Sequence, residues 1–231
     1  MRRYLFLLVI GFLLVFSGYS EALQITNNAM DDDRPKIDGD FVVWRGFDGN
    51  DWEVFLYRIS TGATTQITNN LYNDGILPLG YGDRPRVENG YVVWGGSDGS
   101  DWEIYLYNIS TGVTAQLTNN GFDDYRPQID NGQVVWAGFD GADEEVYRYN
   151  ISTGITTQIT NNAVYDMNPN LLNGKIAWES FDGTDGEIFL HDISTGVTTQ
   201  VTNNSYHDTS PGINQYVIAW TGFVDADGEV F

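Results

Sequence analysis

A repeat of about 42 residues dominates the sequence and constrains its fold more than any other feature. An Ile, Leu or Val followed by Thr-Asn-Asn begins at Ile25, Ile67, Leu117, Ile159 and Val201. These starting points are 42, 50, 42 and 42 residues apart, and they define five units. Tryptophans with the same spacing support this register: Trp44, Trp94, Trp136, Trp178 and Trp220. Such a repeat indicates copies of one supersecondary element stacked on one another.

Each unit is predicted to contain four short strands. In the first unit these are Arg34–Asp38, Phe41–Phe47, Trp52–Ile59 and Ala63–Thr68. β-branched and aromatic residues dominate the strands, whereas Gly, Asn, Asp and Ser dominate the turns. The turn at Asp48–Asp51 contains Asp-Gly, which is typical of a type I′ hairpin. No segment after residue 22 shows the periodicity of a helix.

Four antiparallel strands in about 42 residues correspond to one blade of a β-propeller. We therefore predict an all-β protein in which residues 23–231 form a propeller of four-stranded antiparallel blades, about five in number, with the last one incomplete. A solenoid of β-coils has shorter repeats. Separate small domains are disfavoured, because one sheet of this size cannot bury both of its faces alone.

The first 22 residues are predicted to be a secretory signal peptide. Arg2 and Arg3 precede the apolar run Tyr4–Phe16, and small or polar residues lead to Ala22. The run is shorter than the ~20 residues that cross a bilayer, which favours cleavage over an uncleaved anchor. After cleavage we expect no membrane span and a place in the periplasm, at the cell surface or outside the cell.

The composition restricts the partners. The formal net charge is −21 at pH 7, and removal of residues 1–22 changes it to −22. A chain this acidic repels nucleic acid and anionic lipid, so we expect neither as a partner. Its 42% hydrophobic residues and seven Trp suit a folded core. Because the chain has no Cys, packing has to stabilise this core without disulfides.

The units share a set of short motifs that recur in the same order. Their first copies are QITNN (24–28), IDG (37–39), VVW (42–44), DG (48–49) and ISTG (59–62). They resemble the TolB-like β-propeller repeats of secreted and cell-surface proteins of bacteria and archaea, over residues 23–231. The resemblance implies the fold. It leaves the function open, because such propellers serve as protein-binding modules, surface-layer components, glycan-acting enzymes and gating domains of peptidases.

Both ends of the sequence are out of phase with the repeat. Glu21–Thr26 aligns with a fourth strand, and Asp227–Phe231 lies inside a third strand. One hypothesis is that the sequence is a fragment of a longer propeller. The other is a five-bladed ring in which the N-terminal strand completes the last blade and removes exposed strand edges. The short last strand favours the fragment.

An acidic turn, D-G-x-D-x-E, recurs in four units and is altered in the fifth. Its aspartates are Asp48, Asp51, Asp98, Asp101, Asp140, Asp143, Asp182 and Asp185. Clustered carboxylates suit Ca²⁺, so Ca²⁺ is a possible ligand, although no cofactor is required. Three carboxylates on one hairpin are too few without further ligands, and the EF-hand pattern is absent. The alternative is turn chemistry, in which the acids accept hydrogen bonds from backbone amides.

A second polar feature precedes the first strand of each unit. Its residues are Asp32, Arg34, Asp83, Arg84, Asp124, Arg126, Asp166 and Asp208. In a propeller this segment lies on one rim of the central channel, so we predict a ligand site suited to carbohydrate or a peptide carboxylate. The alternative is that each Asp braces its own loop. The insertion Leu71–Tyr81 is either a further binding element or a tolerated loop.

Catalysis has little support in the sequence. The two histidines, His191 and His207, occupy unlike positions, and the common hydrolase and phosphate-binding motifs are absent. The leading hypothesis is therefore a non-catalytic module whose partner is a protein or a glycan. One alternative is the propeller part of a larger enzyme, either a peptidase gating domain or a polysaccharide lyase. Another is a five-bladed lectin.

Overall fold

The structure, a computed structural model, describes residues 23–75, 84–181, 183–224 and 227–231. Every regular element in these residues is a β-strand, which confirms the all-β prediction. The described part contains no helix long and apolar enough to cross a membrane. The predicted signal peptide, Asp83 and Asp182 lie outside the described residues.

The strands follow the repeat. Unit 1 contains β1 (Asp32–Asp38), β2 (Phe41–Phe47), β3 (Trp52–Arg58) and β4 (Ala63–Gln66). Unit 2 contains β5 (Arg86–Glu88), β6 (Tyr91–Ser97), β7 (Trp102–Asn108) and β8 (Val113–Gln116). Unit 3 contains β9 (Asp124–Asp130), β10 (Gln133–Phe139), β11 (Glu144–Asn150) and β12 (Ile155–Gln158). Unit 4 contains β13 (Asp166–Leu172), β14 (Lys175–Phe181), β15 (Gly186–Asp192) and β16 (Val197–Gln200). Unit 5 contains β17 (Asp208–Ile213), β18 (Ile218–Val224) and β19 (Asp227–Val230).

Each unit forms one antiparallel sheet in which the strands pair in chain order. Four sheets have four strands, and the fifth, β17-β18-β19, has three in the described residues. This confirms the prediction of four-stranded antiparallel blades with an incomplete last blade. In unit 1 the pairing of β2 with β3 is regular from Phe41↔Arg58 to Phe47↔Trp52.

The first strand of every sheet lies innermost. Successive first strands contact one another, β1 with β5, β5 with β9, β9 with β13 and β13 with β17. All residues of the fourth strands are exposed. The first strands therefore surround a central axis, which we call the channel, and the fourth strands form the outside.

The core lies between neighbouring sheets. Val43, Val54 and Leu56 of unit 1 pack against Val92 and Trp94 of unit 2. Equivalent residues form the next two interfaces. A fully buried side chain of this kind contributes about 1.5–3 kcal/mol. Because the chain has no disulfide, these interfaces are the main source of its stability.

The described residues form an open arc of five sheets. The five-bladed ring hypothesis requires Leu23–Thr26 to pair with the last blade. In the structure this segment does not pair with β19. Instead, Ile25 packs against the cluster of Val42, Trp44 and Tyr57 on the first sheet. In the same way, Ile67 packs against the cluster between the first and second sheets.

Two local predictions were wrong. The first strand begins at Asp32 rather than Arg34, because Arg34 adopts a left-handed conformation (φ 54°) within a β-bulge and pairing continues on both sides. The Asp48–Asp51 turn is not a type I′ turn. That turn needs two residues with positive φ, and only Gly49 has one. Asp48 holds the turn instead, since its Oδ1 accepts hydrogen bonds from the amides of Asn50 and Asp51.

Candidate functional site

Two kinds of loop meet at one end of the sheets, which we call the rim. One leads into each first strand, and the other is the hairpin between the second and third strands. They dock across units: Asn73 Oδ1 accepts a 3.1 Å hydrogen bond from Trp52 N, and Asp74 N donates a 2.7 Å bond to Trp52 O. The hairpin of unit 1 is thus joined to the entry loop of unit 2.

Four of the predicted rim aspartates brace their own units. Oδ1 of each accepts a hydrogen bond from the unit's Trp Nε1, at 2.8–3.0 Å, in the pairs Asp32–Trp44, Asp124–Trp136, Asp166–Trp178 and Asp208–Trp220. Oδ2 of each accepts a bond from an Asn four residues earlier, at 2.6–2.9 Å. Asp124, Asp166 and Asp208 are buried. This geometry matches the bracing alternative.

In unit 2 the brace is Asp74. Its Oδ1 accepts a 2.8 Å hydrogen bond from Trp94 Nε1, and its Oδ2 accepts a 2.6 Å bond from Asn70 Nδ2. The sequence analysis named Asp83 for this unit because it counted backwards from Pro85; Asp83 lies outside the described residues, and its place on the rim stays a prediction. The extra residues of unit 2 therefore enter between Asp74 and Pro85, after the brace, and do not start at Leu71.

Burial perturbs the titration of these braces. Loss of hydration raises the pKa of Asp74 to about 7, although the hydrogen bonds from Trp94 and Asn70 oppose the shift. Burial likewise raises the pKa of Asp124 to about 6, against the bonds from Asn120 and Trp136. Both carboxyls therefore take up a proton far more readily than an exposed aspartate does.

Cationic side chains gather along the innermost strands. Five of the 11 Lys and Arg residues of the chain lie on these strands or just before one, and we call them the cationic layer: Arg34, Lys36, Arg84, Arg86 and Arg126. Burial, Arg84 and Arg86 together lower the pKa of Lys36. Cations from two neighbouring units therefore lie close enough to repel one another.

The sequence prediction named Arg34, Arg84 and Arg126 but missed Lys36 and Arg86. Both missed residues lie two positions beyond a predicted one, on the same strand or its approach. A search for charge at one fixed offset in every repeat would have found them.

An acidic layer lies two residues further along the same strands, at Asp38, Glu88 and Asp130. Asp38 Oδ2 accepts a 2.8 Å hydrogen bond from Asn89 N, and Asp130 Oδ2 accepts a 2.6 Å bond from Asn173 N. Burial, together with the charges of Asp130 and Asp38, raises the pKa of Glu88. The channel is thus cationic towards the rim and acidic towards the opposite end.

Two charged residues on the second strands, Arg45 and Glu179, form salt bridges or hydrogen bonds with neighbouring residues at the rim. Arg45 forms a salt bridge with Asp33, with Nη2 2.8 Å from Oδ2, and its guanidinium lies 4.5 Å from the ring centre of Trp52. Glu179 occupies the equivalent position in unit 4. Its Oε2 accepts bonds from Asn168 Nδ2 (2.8 Å) and Ser210 N (2.9 Å).

The acidic hairpins form three clusters in the described residues. Their members are Asp48–Asp51–Glu53, Asp98–Asp101–Glu103 and Asp140–Asp143–Glu145. In each, one carboxylate oxygen per residue lies within 4.8 Å of the others. The fourth copy retains Asp185 and Glu187, whereas Asp182 is outside the described residues. The carboxylates are hard oxygen ligands of the kind that Ca²⁺ prefers.

The two histidines have separate local roles. His207 Nδ1 accepts a 2.6 Å hydrogen bond from Gly186 N. His191 Nδ1 lies 2.9 Å from Thr198 Oγ1, on the outer part of the fourth sheet. The two histidines therefore make unrelated local contacts in different parts of the structure.

No protein-family model and no curated protein matches the chain. Solved structures do match. Dipeptidyl peptidase 4 of Porphyromonas gingivalis superposes with a TM-score of 0.68 at 14% identity, over 86% of this chain and 37% of that one. TolB from Acinetobacter baumannii gives 0.53 at 17% identity, over 89% and 57%. A putative TolB from Agrobacterium tumefaciens gives 0.57 at 15% identity, over 88% and 73%.

These likenesses establish the fold, a TolB-like β-propeller. The chain spans 37% of the peptidase and 57% of the Acinetobacter TolB, so it corresponds to only part of either protein. Since sequence identity is below one fifth, the likenesses say nothing about ligands or activity.

Proposed function

We propose that this chain is an exported, non-catalytic β-propeller module that binds a protein or a glycan through carboxylate groups of the ligand. The site is the cationic layer near the rim. The observation that carries the proposal is the concentration of positive charge on the innermost strands of an otherwise strongly acidic chain.

The charge distribution supports an anionic ligand. With a formal net charge of −21, the chain has acids to pair with every cation at its surface. Three cations of the layer lie in one neighbourhood, since burial and the charges of Arg84 and Arg86 lower the pKa of Lys36. Like charges held together cost free energy, and a bound carboxylate offsets that cost.

The chemistry of the side chains supports carboxylate recognition in particular. A guanidinium presents parallel N–H donors that match the two oxygens of a carboxylate. Arg84 and Arg86 come from unit 2 and Arg126 from unit 3, and the first strands of these units are in contact. A ligand with more than one carboxylate, such as an acidic oligosaccharide or an acidic peptide, is therefore suited to the layer.

Export is the second part of the proposal. It rests on the predicted signal peptide at residues 1–22. The proposed locations are the periplasm, the cell surface and the medium. A module of this kind attaches a glycan or a partner protein to the cell surface or to a larger assembly.

The test is a binding screen built from matched pairs. Oligogalacturonates are compared with neutral galacto-oligosaccharides, and acidic peptides with their amidated counterparts. Binding is measured by isothermal titration calorimetry. We expect only the carboxylate-bearing member of a pair to bind. Arg84→Ala and Arg86→Ala should each weaken binding about tenfold or more, because a hydrogen bond to a charged group contributes about 1.5–3 kcal/mol.

Lys175→Ala is the matched control, because it removes one positive charge outside the channel. Lys175 pairs with Asp192, with Nζ 2.7 Å from Oδ2, in a half-exposed salt bridge. This variant should bind as the parent does. A screen without any hit, or equal affinities in all three variants, would refute the proposal. Cleavage of a bound acidic glycan would favour the polysaccharide-lyase alternative.

A further inference from the structure

The first aspartate of each acidic hairpin is explained by the turn that it holds. Asp98 Oδ1 accepts hydrogen bonds from Ser100 N at 2.8 Å and from Asp101 N at 3.4 Å. Asp140 makes the same two contacts in unit 3, as Asp48 does in unit 1. Turn chemistry therefore accounts for one acid of the three.

The glutamate of each hairpin has protein partners of its own. Glu53 Oε1 accepts a 2.9 Å hydrogen bond from Asn70 N, in the entry loop of the next unit. Glu103 and Glu145 make the equivalent bonds, at 3.0 and 2.7 Å. Each glutamate also has a side-chain hydrogen bond with a threonine, Thr68, Thr118 or Thr160, that lies just beyond the fourth strand of its unit.

The middle aspartate is the residue that turn chemistry does not explain. Asp51 is only 6% exposed, and neither of its carboxylate oxygens has a hydrogen-bond partner. Oδ1 of Asp101 and Oδ1 of Asp143 are likewise buried and unpaired. Burying a carboxylate oxygen without a partner costs free energy. Its recurrence in three units indicates a missing ligand.

The geometry fits one cation per hairpin, and we infer that each acidic hairpin binds a Ca²⁺ ion. Two oxygens bound to the same Ca²⁺ at 2.3–2.6 Å are at most about 5 Å apart. The three carboxylates of each cluster offer oxygens within 4.8 Å of one another. The clusters contain only oxygen ligands, which disfavours zinc and copper.

Water supplies the remaining ligands. Ca²⁺ takes about six to eight oxygens, and each hairpin supplies three carboxylates. A groove of about 440 Å³ opens beside Asp101 and provides access. Because few ligands come from the protein, we expect an affinity of about 10⁻⁴–10⁻³ M, the range of extracellular calcium modules.

The position of the ion gives it a role between units. In unit 1, Glu53 belongs to the hairpin and is bonded to Asn70, whose side chain in turn bonds Asp74. An ion on Glu53 therefore fixes the hairpin of one unit to the entry loop of the next. Its two positive charges also offset most of the negative charge of three carboxylates at a junction of a strongly acidic chain.

The direct test counts bound ions by equilibrium dialysis of the metal-free protein against ⁴⁵Ca²⁺. Each of the three described clusters should bind one ion. Terbium provides a second readout, because Trp52 and Trp102 directly follow Asp51 and Asp101 and should sensitise its luminescence. Magnesium should compete poorly, since it prefers a tighter octahedral shell.

Three variants locate the sites: Asp51→Asn, Asp101→Asn and Asp143→Asn. Each should reduce the stoichiometry by one ion and keep the circular dichroism of the parent. Asp51→Asn and Asp101→Asn should each also lose the terbium luminescence of their own site. Asp143→Asn should keep most of the luminescence, because Glu144 rather than a tryptophan follows Asp143. Asp31→Asn removes an exposed acid outside the clusters and should bind as many ions as the parent does.

Two results would overturn the inference. One is a stoichiometry that the three variants leave unchanged. The other is a calcium-dependent rise in Tm that NaCl reproduces at equal ionic strength, because that result shows screening of the net charge rather than binding. Neither result concerns the cationic layer, so the proposed function is tested independently of the calcium sites.

Discussion

Trp94 donates a 2.8 Å hydrogen bond from its indole Nε1 to Asp74 Oδ1, and both side chains are buried. The bond joins the entry loop of unit 2 to its second strand. The two residues are 20 positions apart, whereas the equivalent partners in the other units are 12 apart. The brace therefore keeps one geometry while the extra residues of unit 2 leave the loop beyond it.

Replacement of a brace should destabilise the fold. Asp124→Ala leaves Trp136 Nε1 and Asn120 Nδ2 without their acceptor. Trp136 is buried, and a buried unsatisfied donor costs about 1–3 kcal/mol, whereas Asn120 is exposed and its amide can bond to water. The free energy of unfolding, measured by urea denaturation, should therefore fall by about 1–3 kcal/mol.

Two variants control this experiment. Asp31→Ala removes an exposed carboxylate next to a brace and should change the stability little. Asp124→Asn keeps an acceptor for Trp136 but turns an amide donor towards Asn120, so an intermediate loss is expected. Equal stabilities of Asp124→Ala and Asp31→Ala would rule out the bracing role.

The strands could be predicted from the sequence because alternation and turn residues are local signals. Phe41–Phe47 was predicted with its observed bounds. Asp74 was missed because the alignment counted back from the proline, across the insertion. The spacing that persists is Asn to Asp over four residues, as in Asn70–Asp74. The charge repulsion between Lys36 and Arg84 and Arg86 acts between different units, so no local pattern in the sequence reveals it.

Stability should fall as the pH rises from about 4 to 7. An unfolded aspartate titrates near 3.9, whereas burial raises the pKa of Asp74 to about 7 and that of Asp124 to about 6. Within this window the folded protein binds more protons than the unfolded chain, so deprotonation favours unfolding. Tm, measured with a chelator present, should be higher at pH 5 than at pH 7.5.

Asp74→Asn tests this assignment. The amide does not titrate, so the variant should show a smaller loss of Tm between pH 5 and 7.5 than the parent does. Asp192→Asn is the matched control. Hydrogen bonds from Lys175 and Ser194 lower the pKa of Asp192, so its titration affects stability only below about pH 4. This variant should therefore show the same loss of Tm between pH 5 and 7.5 as the parent. An unchanged slope in Asp74→Asn would show that other carboxyls set the pH dependence.

Glu179 should hold the fifth sheet to the fourth. Its Oε2 accepts hydrogen bonds from Ser210 N and Thr209 Oγ1 of β17 and from Asn168 Nδ2 of β13. Glu179→Ala removes all three acceptor contacts at a buried position. Hydrogen exchange should therefore speed up in residues 208–224 and remain slow in units 2 and 3.

Glu179→Gln keeps one acceptor oxygen at the same place. It should retain more protection in β17 than Glu179→Ala does. Equal exchange across all five sheets in both variants would show that apolar contacts alone dock unit 5.

Lys36→Gln should make the protein more stable and a weaker binder. Burial and the charges of Arg84 and Arg86 lower the pKa of Lys36, so its protonated form is less favourable in the folded state than in the unfolded chain. Glutamine occupies the equivalent position in unit 3, at Gln128, and therefore suits the site. Tm should rise in the variant, while affinity for the best carboxylate ligand of the screen should fall and depend less on salt. A higher Tm with unchanged affinity would place the ligand elsewhere, and a lower Tm would show that Lys36 supports the fold. A higher Tm together with a lower affinity is the result expected of a residue that serves binding at the expense of stability.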